Sequence, residues 1–174
     1  MASAMVPWPC PVCAELVSVA MEDCPHCHAA AGWVDLLRAL DFSIRQFHYW
    51  SLTGAVSKTE YRAIVDSCRA RREQMTRQAQ QRLPVIPTAH LPAQAECWSC
   101  HTPCRPNMFF CGSCGAPLVA PEVRLLRYHT FLCGEITGHQ KEGRLDAKES
   151  QILIQETQET LTGVRERLEA ARPL

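Results

Sequence analysis

Cys10-Pro11-Val12-Cys13 and Cys24-Pro25-His26-Cys27 lie near the start of the chain, and the same arrangement returns 87 positions later as Cys97-Trp98-Ser99-Cys100 and Cys111-Gly112-Ser113-Cys114. Each set reads C-x2-C-x10-C-x2-C. A C-x2-C turn bends the backbone so that two sulfurs face one point, and two such turns side by side complete a tetrahedron of thiolates around a metal ion. Two sets with identical internal spacing point to an internal duplication, one tetrathiolate site per half. The ten residues between the pairs suffice for a short β-hairpin. That segment holds Leu16, Val17, Ser18 and Val19 in the first set and Met108, Phe109 and Phe110 in the second.

Beyond the cysteines the correspondence continues at an offset of 89. Leu36-Leu37-Arg38 matches Leu125-Leu126-Arg127, Gly54 matches Gly143, and Glu60 matches Glu149. Trp33, Leu37, Leu40, Ile44 and Phe47 follow 4-3-4-3 spacing, the stripe of an amphipathic helix over 34–53, with Trp50 on the same apolar side. Gly54 permits a helix end, and Ser57 with Glu60 forms a capping box for a second helix carrying Tyr61, Ile64, Val65, Cys68 and Met75. In the second half a helix over 122–138 precedes Gly143, a D-x-x-E cap at Asp146 and Glu149, and a last helix lined by Leu153, Thr157, Leu161, Val164 and Leu168. The expected organisation is ribbon 1 over 5–30, helical hairpin 1 over 31–82, a proline-rich linker over 83–95, ribbon 2 over 96–119 and hairpin 2 over 120–172. The fold class is mainly α with two small β ribbons, and the striped hairpins can pair as a four-helix bundle.

Each half of the 174-residue chain is near the lower limit for a self-sufficient core, where a structural metal is a usual remedy. Eleven cysteines would suit a disulfide framework in a secreted chain. The N-terminal stretch has no basic start and no long apolar run, and no segment is long and apolar enough to span a bilayer. A reducing cytoplasm and metal-bound thiolates are therefore expected, with no membrane association. Eighteen basic and eighteen acidic residues balance. A zinc ion on four thiolates leaves about −2 per site, so two sites take the protein to about −4, which weighs against a general nucleic-acid binder.

Phe110-Cys111-Gly112-Ser113-Cys114-Gly115-Ala116-Pro117-Leu118 closely resembles the second knuckle of bacterial zinc-ribbon proteins. The resemblance covers about 20 residues per copy and implies Zn2+, two per chain, held by Cys10, Cys13, Cys24 and Cys27 and by Cys97, Cys100, Cys111 and Cys114. The first copy departs from the pattern, with Ala14 and His28 after the knuckle cysteines where glycine is frequent. His26, His28, His101 and Cys104 are alternative ligands, and Cys104 can stand in for Cys100. Paired C-x-x-C knuckles also resemble rubredoxin-type iron sites, which would carry electrons. Leu52 to Tyr61 is similar to the SHOCT family of short helical domains through Gly54, Ser57, Glu60 and Tyr61, with a looser match at Gly143, Asp146 and Glu149. That resemblance implies an association or scaffold module.

The segment from Lys58 to Arg82 carries seven basic and three acidic residues. Arg69, Arg71 and Arg72 there, and Trp98 on the second ribbon, are candidate contacts for a partner or for nucleic acid. Cys68 and Cys133 fall on apolar stripes, where a thiol is buried and inert by default. A closed tetrathiolate site leaves no open position for substrate, and no phosphate loop, carboxylate pair or cysteine–histidine motif stands out. The expected function is a non-catalytic, zinc-binding interaction or scaffold module with a protein partner or self-association and no small-molecule substrate. The alternatives are a nucleic-acid-associated zinc-ribbon regulator and a rubredoxin-like electron carrier.

Overall fold

The computed structural model describes residues 8–17, 23–84, 96–104 and 108–172. Strands β1 (Trp8–Pro9) and β2 (Leu16–Val17) pair antiparallel. Four helices follow: α1 (Ala31–Thr53), α2 (Lys58–Gln80), α3 (Pro121–Lys141) and α4 (Ala147–Ala170). No described helix is long and apolar enough to cross a membrane.

Residues 18–22 and 105–107, in the middle of the two gaps where a hairpin is expected, lie outside the described residues. At every knuckle a pairing straddles the turn, joining the residue before the first cysteine to the residue six beyond that cysteine, and at the first knuckle Trp8 with Val17 extends it. The four cases are Pro9 with Leu16, Asp23 with Ala30, Glu96 with Pro103 and Phe110 with Pro117. The knuckle is itself the turn of a minimal hairpin, because the chain must reverse within it to aim two sulfurs at one point. Ser18, Val19 and most of the 83–95 linker lie outside the described residues.

The helices end where the local chemistry requires. Gly54 and Gly143 take positive φ of 81° and 75°, a conformation that costs a side-chain-bearing residue about 1–2 kcal/mol. Ser57 completes the capping box: its Oγ accepts from the Glu60 amide at 3.2 Å, while the Glu60 carboxylate accepts from the Ser57 amide at 3.0 Å. Asp146 caps α4 through the Lys148 amide at 3.1 Å, one residue earlier than a capping box would place it. Its partner Glu149 turns to Glu60, whose hydrogen bond, with burial, raises the Glu149 pKa above its ordinary value. The N-terminal ends of α2 and α4 meet there.

One core draws on all four helices. It includes Trp33, Leu40, Phe47 and Trp50 of α1, Ile64 and Cys68 of α2, Phe131, Leu132 and Ile136 of α3, and Leu153 of α4. The stripe spacing is met closely: Trp33, Leu37, Leu40 and Phe47 are buried, as are Leu153, Thr157, Val164 and Leu168. α1 packs on α2, α3 packs on α4, and the two hairpins meet chiefly through α1 and α3. A smaller cluster of Val123, Leu126, Val164 and Leu168 takes Trp98 of the second ribbon against it. Trp33 Nε1 donates to the Leu83 carbonyl at 2.7 Å and ties the exit of α2 to the start of α1.

At the α1–α3 interface Arg127 pairs with Asp35, both only 8% exposed. Removing one charge of a buried pair leaves the other uncompensated, at a cost of about 3–5 kcal/mol, whereas replacing both with apolar groups of similar volume is often neutral. Asp35→Ala is therefore expected to lose a stability of that order in chemical denaturation. The double change Asp35→Leu with Arg127→Met is expected to recover most of it.

Candidate metal centres

Each knuckle is built the same way from backbone hydrogen bonds. The amide of the residue after the second cysteine donates to the carbonyl of the first: Ala14 to Cys10 at 2.8 Å, His28 to Cys24 at 2.8 Å, His101 to Cys97 at 3.0 Å and Gly115 to Cys111 at 2.9 Å. The first cysteine's own amide donates onward, to the carbonyls of Glu15, Ala29, Thr102 and Ala116 respectively. The residue after the second cysteine is left-handed in all four knuckles, with φ of 65°, 58°, 58° and 71°. Glycine meets this requirement only at Gly115. Ala14, His28 and His101 adopt it with a Cβ, so their departure from the ribbon pattern alters the cost of the turn and not its shape.

The four turns bring the sulfurs together in two groups, Cys10, Cys13, Cys24 and Cys27 and then Cys97, Cys100, Cys111 and Cys114. Cys10 and Cys27 stand 3.9 Å apart and Cys13 and Cys24 3.7 Å, while the pairs Cys97–Cys114 and Cys100–Cys111 are each at 3.6 Å. A disulfide would need about 2.05 Å. A tetrahedron with ~2.3 Å zinc–sulfur bonds has edges of about 3.8 Å. The eight cysteines thus fit two tetrathiolate sites, each able to hold one metal ion, and all eleven thiols of the chain are unbridged.

Knuckle amides prepare these sulfurs for capture of an ion. The amides of Cys114 and Ser113 bring the Cys111 thiol down to about 6. At Cys24 burial opposes ionisation, but the amides of Cys27 and His26 outweigh it and the pKa falls to about 7. Burial dominates at Cys27 and Cys97, which are pushed up to about 12. Each cluster therefore combines a thiol whose ionisation the knuckle amides favour with one that burial holds protonated.

Arginines seat the ribbons on the helices. Arg38 donates to the Pro9 carbonyl and Arg72 to the Pro11 carbonyl, both at 3.3 Å. Arg72 is fixed in turn by Asp41 at 2.7 Å. At the second ribbon Arg172 reaches the Cys114 carbonyl at 3.5 Å and the Ser99 hydroxyl, with its guanidinium 5.8 Å from the centre of the Trp98 ring. Trp98 is packed and not free-standing, its Nε1 donating to the Pro117 carbonyl at 2.7 Å. Arg71 pairs with Glu135, so of the three singled-out arginines only Arg69 is exposed. His26, His28, His101 and Cys104 belong to neither four-sulfur group; Cys104 donates to the Thr102 carbonyl at 3.4 Å and lies beside Cys111.

A third grouping escaped the sequence reading. Cys68 of α2 meets Glu135 and His139 of α3, and all three are buried. Burial pushes the Cys68 thiol up to about 11 and His139 down to about 4. The available signal was a glutamate and a histidine four apart on one face of α3, opposite a cysteine on the stripe of α2. Spacing alone could not show that the two faces meet.

Set against known proteins, the chain matches no family model, no curated protein and no solved structure. The zinc-ribbon likeness rests on the two cysteine clusters, and the likeness of the helical turn to SHOCT has no matching family behind it.

The knuckle geometry gives a direct test of the ligand set. His28→Gly removes a side chain from a left-handed position, so it is expected to leave the metal content unchanged and raise unfolding stability by up to about 1 kcal/mol. Elemental analysis and thermal unfolding check this, and loss of a metal equivalent would make His28 a ligand.

Proposed function

We propose that this chain is a non-catalytic zinc protein whose two tetrathiolate ribbons brace a helical body that binds other proteins, in the reducing cytoplasm. The observation that carries the reading is the pair of closed four-sulfur clusters. Four protein ligands complete a tetrahedron, leaving no position for substrate, and this is the form that structural zinc takes. Bound zinc would supply cross-linking energy to halves too small to rely on their own cores. The cleft of about 490 Å³ beside the first knuckle is lined by the knuckle residues, Cys10 and Cys13 among them, and by Arg38, Asp41, Arg45, Arg72 and Tyr128.

A duplicated origin supports an interaction role, since it yields two similar modules on one body. Helices α1 and α3 start 90 residues apart and α2 and α4 start 89 apart. The left-handed glycines at 54 and 143 and the caps at Ser57 and Asp146 also stand 89 apart. Exposed apolar side chains suit partner contact: Phe109 and Phe110 on the second ribbon, and Tyr49 and Leu52 at the end of α1. Engagement of Arg71 and Arg72 within the fold weakens the nucleic-acid alternative, which would rest on phosphate-binding basic groups.

Protein purified without added metal is expected to contain two zinc per chain and no visible chromophore. Elemental mass spectrometry with an absorption spectrum measures this; iron with a red colour would overturn the structural-zinc reading in favour of electron transfer. Cys24→Ser and Cys111→Ser are each expected to lower zinc content from two to one. In the same preparations, chelation is expected to lower the thermal midpoint and expose apolar surface.

A further inference from the structure

The buried cluster between α2 and α3 contains three metal-ligating side chains that neither ribbon uses. Cys68 Sγ lies 3.6 Å from His139 Nε2, His139 Nε2 lies 3.6 Å from Glu135 Oε2, and Cys68 Sγ lies 4.0 Å from that same oxygen. A triangle with those sides has a centre about 2.2 Å from all three donor atoms, within the ~2.0–2.3 Å range of zinc bonds to nitrogen, oxygen and sulfur. An ion at that point needs no rearrangement of the helices. We propose that Cys68, Glu135 and His139 form a third metal site, a mixed sulfur, oxygen and nitrogen site for a divalent cation of the zinc or cobalt type, with one coordination position left for water.

The surroundings support this assignment and explain why the site fills after the ribbons. Arg71 holds Glu135 through both oxygens, with Nη1 on Oε1 at 3.0 Å and Nη2 on Oε2. When Oε2 turns to the ion, Arg71 keeps Oε1, which is the kind of outer contact that orients a ligating carboxylate. Arg144 Nη1 stands 3.2 Å from His139 Nδ1 and donates to it, so Nε2 carries the ring hydrogen before an ion binds. Binding moves that hydrogen to Nδ1 and turns Arg144 wholly to its ion-pair partner Glu142. The Cys68 thiol gives its proton to solvent, so one proton leaves for each ion bound. Two nearby guanidinium groups oppose a dication, so affinity falls below that of the four-thiolate clusters.

The helical packing does not itself demand these groups. The positions 89 residues away are Gln46, Trp50 and Thr157, of which Trp50 and Thr157 are 1% and 2% exposed. None of these three matched positions carries an ionisable side chain. The ionisable trio is confined to one side of the body, where it adds a function the other side lacks.

The test is a titration of the full chain already loaded with two zinc per chain, using Co2+ with absorption spectroscopy and pH-indicator detection. Wild type is expected to bind one further equivalent, with a thiolate-to-cobalt band of single-sulfur strength and release of one proton. Cys68→Ala and His139→Gln are each expected to abolish that equivalent while keeping both zinc ions and wild-type helicity by circular dichroism. Should one variant lose helicity, the other and Glu135→Gln carry the test. Saturation of wild type at two equivalents, or survival of the third in folded variants, overturns the proposal and leaves the two ribbon sites untouched.

Discussion

Four thiolates converging on one point is the constraint from which the two ribbons follow. Convergence demands the tight knuckles, and the knuckles demand a left-handed residue after each second cysteine. That requirement fixes where the short strand pairings fall, immediately outside each knuckle. Three of the four turns are made with a Cβ in a conformation that costs about 1–2 kcal/mol. A metal ion held by four thiolates would contribute folding free energy on a larger scale than that cost.

The helical body solves a different problem. Two hairpins with apolar stripes must find one register against each other, and apolar surface alone specifies register weakly. The buried Asp35–Arg127 pair lies where α1 meets α3. A buried ion pair adds little net stability, and specificity of packing is the role that fits it here. Trp50 Nε1 donating to Glu156 at 3.2 Å makes a comparable polar crossing from α1 to α4.

Much of this was legible from residue spacing. The eight cysteines, the Phe47 and Leu168 stripes, the Ser57–Glu60 box and the glycine turns are all local patterns, and local patterns are what a sequence displays. The pairings across each knuckle were not legible, because they depend on the backbone turn that the two cysteines impose and not on any strand pattern. Arg71 and Arg72 looked like surface charge, since their partners Glu135 and Asp41 lie 64 and 31 residues away. Trp98 was ambiguous for the same reason: its burial depends on α3 and α4, which the sequence could not place against the ribbon. The Cys68 cluster was invisible because it exists only once two stripes face each other.

The arginines that seat the ribbons grip carbonyl oxygens: Pro9 and Pro11 on the first ribbon and Cys114 on the second. Every residue type offers that oxygen, so these contacts do not depend on which side chain the ribbon carries there, and the side chains that do anchor it, such as Trp98, are packed inward. The ribbon surfaces can then diverge without loosening from the body. The second ribbon carries exposed Phe109 and Phe110 where the first, 87 residues earlier, has Glu22 and Asp23. A mount of this kind works as a socket: it holds the frame in place and leaves the displayed face open to change.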